Sequence, residues 1–350
     1  MGLHLQTRKD AGTKSSIVVI LIGFGLSIFS FSIVFVFAGI NPLIGFQKIF
    51  KGGFGDAYVL QQVLKDTAPL LFVTLAFLLP SRAGLWNIGA EGQFFLGGVG
   101  ATGVSLAFPG QPPFVLLPLM ALGAMVCSGA WAFFPAYLKA KFEINEIVLT
   151  LFLNWIALLL VKYLTVGGPW MNPEGRSESV AIPSAGRIPI ILQTGVPYTI
   201  FFAVAAAVLL YLIFQKTRAG FEIKAYGHNP AASVKAGIDA KKVILISFTV
   251  GGILAGLGGF HQSAGVIGRL RYDLTAGWGY YGILFALLSK NNPLGAIFVT
   301  FLATGLLVSG VQSLQFDLGM GGGIGLLFVG VIIICFVIPQ FLRDYKVSRK

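Results

Sequence analysis

Apolar residues come along this chain in long unbroken blocks, not at the alternating positions of a half-buried strand. The first block, Ile17 to Ala38, runs 22 residues without a charge and ends in Gly39-Ile40-Asn41-Pro42 instead of a small-residue cleavage site, so it reads as a retained helix and not a removed leader. Further blocks follow at Tyr58–Pro80, Asn87–Phe108, Phe114–Ala136, Ile147–Val166, Tyr198–Phe214, Val243–Ile267, Gly277–Ser289, Pro293–Val311 and Ile324–Phe341. That makes ten blocks, most of them near the roughly 20 residues a helix needs to cross the hydrocarbon of a bilayer. Between Gly92 and Leu138 there is no charge at all, and only Phe108-Pro109-Gly110-Gln111-Pro112-Pro113 marks a turn. Blocks of this length predict an all-α bundle of about ten transmembrane helices, since the strands of a membrane barrel need only about half as many residues.

Composition sharpens the picture. Hydrophobic residues make up 56% of the 350 and charged residues 11%, too few charges to cover a water-soluble surface. The two cysteines, Cys127 and Cys335, both lie in apolar blocks and cannot build a disulfide framework or a zinc cluster. His4, His228 and His261 are too dispersed to suggest a metal site.

The net charge of +12 could suggest nucleic acid, but its distribution explains it better. With a cytoplasmic amino terminus, ten spans put 17 of the 25 Lys and Arg residues inside: Arg8, Lys9, Lys14, Arg82, Lys139, Lys141, Lys216, Arg218, Lys224, Lys235, Lys241, Lys242, Lys290, Arg343, Lys346, Arg349 and Lys350. This bias satisfies the positive-inside rule with both termini cytoplasmic, in a membrane expected to be a bacterial inner membrane. The implied organisation is a cytoplasmic segment 1–16, a membrane domain 17–342 and a cytoplasmic tail 343–350. Membrane lipid is then the expected surrounding, and nucleic acid is not a partner.

Two segments stand outside the spans. The outer loop 167–197 carries five prolines with Glu174, Arg176, Glu178 and Arg187, and is expected to be an irregular surface segment that receives a partner or simply connects. The inner loop 215–242 is basic and holds its own helix signals. Within it Asn229 is a good N-cap, Pro230 suits the first helical position, Ala231 to Ala236 favour helix, and Gly237 can take a left-handed C-terminal cap. Two turns of helix are marginal in water alone, so this piece either docks against another protein through the small faces of Ala231, Ala232 and Ala236 or lies on the membrane surface as a connector.

Polar residues inside apolar blocks are the candidates for function. Glu91 borders a long uncharged stretch, where a carboxylate is costly unless it faces water, a partner or the protein interior, so it is expected either to mark a polar break or to cap or brace neighbouring helices at the cytoplasmic rim. Asn87 shares its helical face, and the nearby Gly89, Gly92, Gly97, Gly98 and Gly100 allow tight packing or a local break in the helix. Glu146, Thr150 and Asn154 recur at every fourth position and form a stripe that should not face lipid; it could line a pathway or bond a neighbouring helix. Trp170 and Trp278 fit an interfacial belt. No phosphate loop, HExxH pair or GxSxG elbow occurs, so ATP-driven work would belong to another polypeptide.

Three stretches carry a resemblance: LWNIGAEGQ at Leu85–Gln93, INEIVLTLFLNWIA at Ile144–Ala157 and GFEIKAYGHNPAASVKAGI at Gly220–Ile238, with GWGYYGILFALLSKNNPLGAIF at Gly277–Phe298 as a fourth. Through these the chain resembles the permease subunits of bacterial ATP-binding-cassette importers for nucleosides, simple sugars and branched-chain amino acids, the nucleoside type most of all. The resemblance covers about residues 15–342. It implies a type II importer-like permease that pairs with a second permease subunit, binds two cytosolic ATPase subunits and is fed by an extracytoplasmic binding protein or lipoprotein, with no cofactor or metal of its own. It further implies that Asn87, Glu91, Gln93, Thr150 and Asn154 lie in or beside the translocation path. The segment with Ala225, Gly227, Asn229, Pro230, Ala231, Ala232 and Gly237 would be the coupling element in a groove of the ATPase. Lys290-Asn291-Asn292 departs from the family pattern, which more often has Gly before Asn. A simple sugar such as ribose is the alternative cargo, and an ion-coupled carrier using Glu91 or a membrane-embedded transferase are the rivals from other classes.

Overall fold

The computed structural model describes residues 3–7, 13–192, 194–318 and 324–349, and it divides into two compact units. The first is built from the two ends of the chain, Met1–Val59 and Gly305–Lys350; the second is Leu60–Thr304.

In the first unit a short ribbon pairs β1 (Leu3–Thr7) with β2 (Tyr345–Arg349) antiparallel. Helix α1 (Thr13–Phe37) packs on α14 (Ile324–Asp344), with the Phe31 and Phe328 rings stacked 4.2 Å apart. After α1 the chain turns through 111° into α2 (Pro42–Phe54), a helix the hydrophobic pattern did not foretell because Lys48 and Lys51 interrupt its apolar residues. The turn has local causes: Gly39 adopts φ +72°, Asn41 caps the new helix by accepting from the Leu43 amide at 2.9 Å, and Pro42 opens it. Lys48 forms a 3.0 Å ion pair with Asp317 on α13 (Val311–Leu318).

The second unit is a helical bundle around α4 (Ala90–Ala107), which is wrapped by α5 (Pro113–Phe142), α6 (Glu146–Thr165) and α10 (Ala240–Phe260). Glycine decides how close these helices come. A side chain at Gly97 would collide with the Gly256 backbone, and one at Gly100 with the backbone of Gly123, so α4 meets α10 and α5 main chain to main chain. Helix α3 (Ala57–Arg82) is buried from Thr67 to Pro80, and α7 (Thr199–Lys216) packs on α12 (Pro293–Ala303). Asparagine and aspartate mark the helix starts: Asn145 caps α6, Asp239 caps α10 and Asn292 caps α12. Both α10 and α12 run on into a π-helical turn, His261–Ile267 and Thr304–Gly310.

Every one of the ten apolar blocks coincides with helix. Among the described residues, six helices are long and apolar enough to cross a membrane, or seven if the bent pair Leu21–Phe37 and Pro42–Phe54 is one crossing. The shortfall lies partly in α4, whose glycines and polar first turn dilute its hydropathy, and in α11 (Trp278–Leu288), which has only 11 residues. The architecture is that of an all-α, multi-pass membrane protein.

One expectation is extended and one is corrected. The segment 167–197 is irregular and largely exposed, as expected, but it also sends Ile182 and Ile188 into a core formed with Leu116, Met120 and Phe260. Its backbone is pinned by Ser179 N–H to Leu270 O at 2.9 Å and Ile182 N–H to Gly268 O at 2.9 Å, and a 2.7 Å Arg269–Glu178 ion pair ties it to the same stretch. Next to it Arg271 grips Asp273 with two hydrogen bonds of 2.8 Å, which raises the guanidinium pKa. Trp278 is not interfacial but buried, edge-on to Phe94 at 6.0 Å, because α11 begins inside the bundle.

Candidate translocation and coupling site

Two helices of the second unit begin in its interior, and their first turns meet. The first four amides of any helix lack partners within it, and away from water they must be satisfied by side chains or by nearby main chain. The stretch 83–89 leads into α4 without helix, and 268–277 does the same for α11. Glu91, in the first turn of α4, lies where the N-terminus of α11 arrives. One carboxylate oxygen accepts from the Gly279 amide at 2.6 Å and the other from the Thr275 hydroxyl at 2.8 Å. Thr275 in turn accepts from the Gly277 amide at 3.0 Å and the Trp278 amide at 2.9 Å. The start of α11 thus closes on a carboxylate carried by the first turn of α4, and those bonds offset part of the cost of burying it. Gly279 leaves no room for a side chain against the Glu91 backbone.

The other predicted pathway residues gather around the same point. Asn154 of α6 accepts from the Gly92 amide at 2.8 Å and donates to the Ile88 carbonyl at 2.9 Å, joining α6 to the broken start of α4. Asn87 and Gln93 exchange a reciprocal pair of amide hydrogen bonds of 2.9 and 3.0 Å, and the Asn87 oxygen also accepts from the Gly89 amide at 3.2 Å. Thr150 bonds back to the Glu146 carbonyl at 2.7 Å and presents its Cβ to Gly89, while Glu146 forms a 2.8 Å ion pair with Lys139 at the end of α5. The stripe Glu146, Thr150, Asn154 is therefore turned inward, and Phe152, Trp155 and Leu159 of the same helix face outward. All five residues, Asn87, Glu91, Gln93, Thr150 and Asn154, are buried and bonded within the chain.

In the segment 215–242, α8 (Arg218–His228) and α9 (Pro230–Lys235) follow each other through Asn229. Ala225 and Gly227 fall on α8, half-buried; Asn229, Pro230, Ala231, Ala232 and Gly237 are exposed. The Asn229 side chain accepts from the Ala232 amide at 3.0 Å. At the other end Gly237 takes φ +88°, its amide bonds the Val234 carbonyl and the Ile238 amide bonds the Ser233 carbonyl, each at 3.0 Å, the paired closure of a left-handed helix stop. The six-residue helix stands clear with Val234 exposed.

Residues that sequence reasoning passed over are Thr275 and Gly279, which face Glu91, and Arg82 and Asn291 at the far end of α11. Thr275 stands just ahead of the Gly277-Trp278 start of α11, a capping position that could have been read. The Lys290-Asn291 turn adopts φ +53° and +54°, left-handed backbone made here by two residues other than Gly.

Interior helix starts held by side chains and a carboxylate, with a short capped helix exposed on the surface, suit a membrane permease driven by a partner. The family described as branched-chain amino acid transport system, permease component, matches residues 59–337, and the chain belongs to it. It is 34% identical to the glucose ABC transporter permease protein TsgB13 of Haloferax volcanii over 88% of this chain and 84% of that one. It is 29% identical to the guanosine ABC transporter permease protein NupP of Bacillus subtilis over 96% and 97%, and 30% identical to the nucleoside ABC transporter permease protein NupB of Lactococcus lactis over 82% and 80%. No solved structure matches the chain. The protein is thus a multi-pass permease of the plasma membrane and not itself an enzyme; ATP hydrolysis lies in a separate subunit.

Proposed function

We propose that this chain conducts nucleosides inward as one permease of an ATP-driven importer in a bacterial inner membrane. The observation that carries the substrate is end-to-end correspondence with the guanosine permease, 96% of one chain against 97% of the other, joined by a second nucleoside permease. The partners in this reading are a second permease subunit, a pair of cytosolic ATPase domains and an extracytoplasmic binding protein. Ten crossings, with α4 and α11 as the short interior ones, place both termini in the cytoplasm. The knob of Asn229, Pro230, Ala231, Ala232 and Gly237, with Ala225 and Gly227 behind it, docks on the ATPase. Asn87, Glu91, Gln93, Thr150 and Asn154 form the wall where two interior helix starts can part, so that the path opens to either side in turn.

A second reading, import of a simple sugar, is favoured by the glucose relative at 34% identity. Reconstitution with the ATPase and the binding protein in proteoliposomes decides between them. Guanosine uptake is expected to stop without ATP, to survive an ionophore and to be competed by other nucleosides but not by glucose or ribose. Uptake of glucose alone would establish the sugar reading, and uptake that follows an ion gradient without ATP would overturn both.

A further inference from the structure

Helix α11 touches firm partners at both of its ends. Its N-terminus is gripped by Glu91 and Thr275, as described above. At its other end the main chain leaves through Ser289 into the left-handed pair Lys290-Asn291, and there the Asn291 carbonyl accepts from Arg82 Nε at 2.7 Å while the Asn291 amide group donates to Ser81 Oγ at 2.8 Å. Arg82 ends α3, and its guanidinium lies 5.6 Å from the ring centre of the buried Phe214 near the end of α7. The backbone of Arg82 and Ala83 is also the surface on which α8 rests: a side chain at Gly227 would overlap the Arg82 carbonyl, and Gly84, at φ +73°, faces the Gly227 backbone. Only His228 lies between Gly227 and the cap of the exposed knob.

A contiguous chain of contacts therefore runs from the knob through α8 and the end of α3 to the foot of α11, and from the head of α11 to Glu91. An α-helix of 11 residues spans about 16 Å and resists compression. Trp278, Gly279 and the stretch from Tyr281 to Ala286 are buried, and a side chain at Gly282 would press on the Val73 backbone, so the helix is held along its length against α3. Movement of α8 against Arg82 can reach the interior helix starts through this rod.

We propose that α11 is the strut through which the cytosolic coupling loop works the interior of the permease, and that Arg82 is the positioning residue that joins the loop to it. This rests on the reading of the knob as an ATPase-docking element, and it adds which residues carry the stroke onward. Arg82 itself touches neither ATPase nor cargo.

The test uses the assembled importer in proteoliposomes and reads three quantities: ATPase association, ATP turnover and cargo moved per ATP. Arg82→Ala is expected to leave association and ATP turnover in place and to lower cargo moved per ATP about ten-fold, with Arg82→Lys, which retains one donor, recovering much of it. Thr275→Val, an isosteric change at the other end, is expected to uncouple to a similar degree. The double variant should be no worse than either alone, whereas unconnected sites more than about 10 Å apart would add. Normal cargo per ATP in Arg82→Ala, additive losses in the double variant, or loss of ATPase association in Arg82→Ala would each overturn the strut. If the unaltered chain itself fails to bind the ATPase, the docking reading falls first, and the strut with it.

Discussion

Asn154 uses both halves of its carboxamide on main-chain atoms, accepting from the Gly92 amide and donating to the Ile88 carbonyl. The two atoms are four residues apart, and Asn154 bridges them where the helix has not yet begun, since Ile88 lies ahead of α4 and Gly92 in its first turn. Asn154→Leu keeps the volume and removes both bonds, leaving two buried backbone groups unsatisfied at about 1–3 kcal/mol each. A loss of about 2–6 kcal/mol is therefore expected, measured by thermal or detergent denaturation of the purified permease. Thr150 works differently, because its hydroxyl is satisfied by its own helix. At this scale the sequence showed which residues were polar among apolar neighbours and which way the stripe pointed. It did not show that a side chain on α6 completes a helix start on α4, a contact between residues 62 positions apart.

Among the elements, the six-residue α9 was readable in full, since its cap, its proline, its alanines and its terminal glycine are neighbours in sequence. Local signals suffice where an element stops and starts by local hydrogen bonds. Gly237→Val is a sharp probe of it: nothing stands within 4 Å of the added carbon, so the substitution acts only through the φ of +88°. The left-handed conformation costs an L-residue about 1–2 kcal/mol, and more for a branched one. The helix stop should open and affinity for the ATPase should fall about ten-fold, readable by co-purification and titration, while the thermal stability of the permease in detergent stays near that of the unaltered chain. Unchanged affinity would remove the knob from the docking surface. By contrast, α2 escaped notice because its lysines broke the apolar pattern, and the segment 167–197 gave no sign of which of its apolar residues are buried, because its prolines and charges break any helical or strand period. Ile182 and Ile188 bury themselves only because α5 and the end of α10 offer a surface to bury against.

For the whole molecule, the charge distribution and the paired ribbon of β1 with β2 both favour an even number of crossings with the two ends on one side. Single cysteines placed near each terminus, in a chain whose Cys127 and Cys335 have been replaced by serine, should be labelled by a membrane-impermeant maleimide only after the inner face is opened. Labelling of one terminus in intact cells would imply an odd count and a different assignment of α4 or α11. The same count determines whether the knob faces the cytosol, so this topology and the docking proposal stand or fall together.

The chain's own order of residues was enough to establish an all-α membrane protein, the positions of its apolar blocks, its short capped helix α9 and, through shared motifs, its family. Each of these depends on free energies that are local or simply additive: apolar transfer along a block, capping within a turn, charge at a membrane face. Tertiary structure alone decided that α4 and α11 begin inside the bundle and share Glu91, that glycines bring α4 against α5 and α10 at backbone distance, and that Arg82 meets the foot of α11. Those outcomes depend on which unsatisfied amide finds which distant acceptor once the helices pack. No window of sequence contains both members of such a pair.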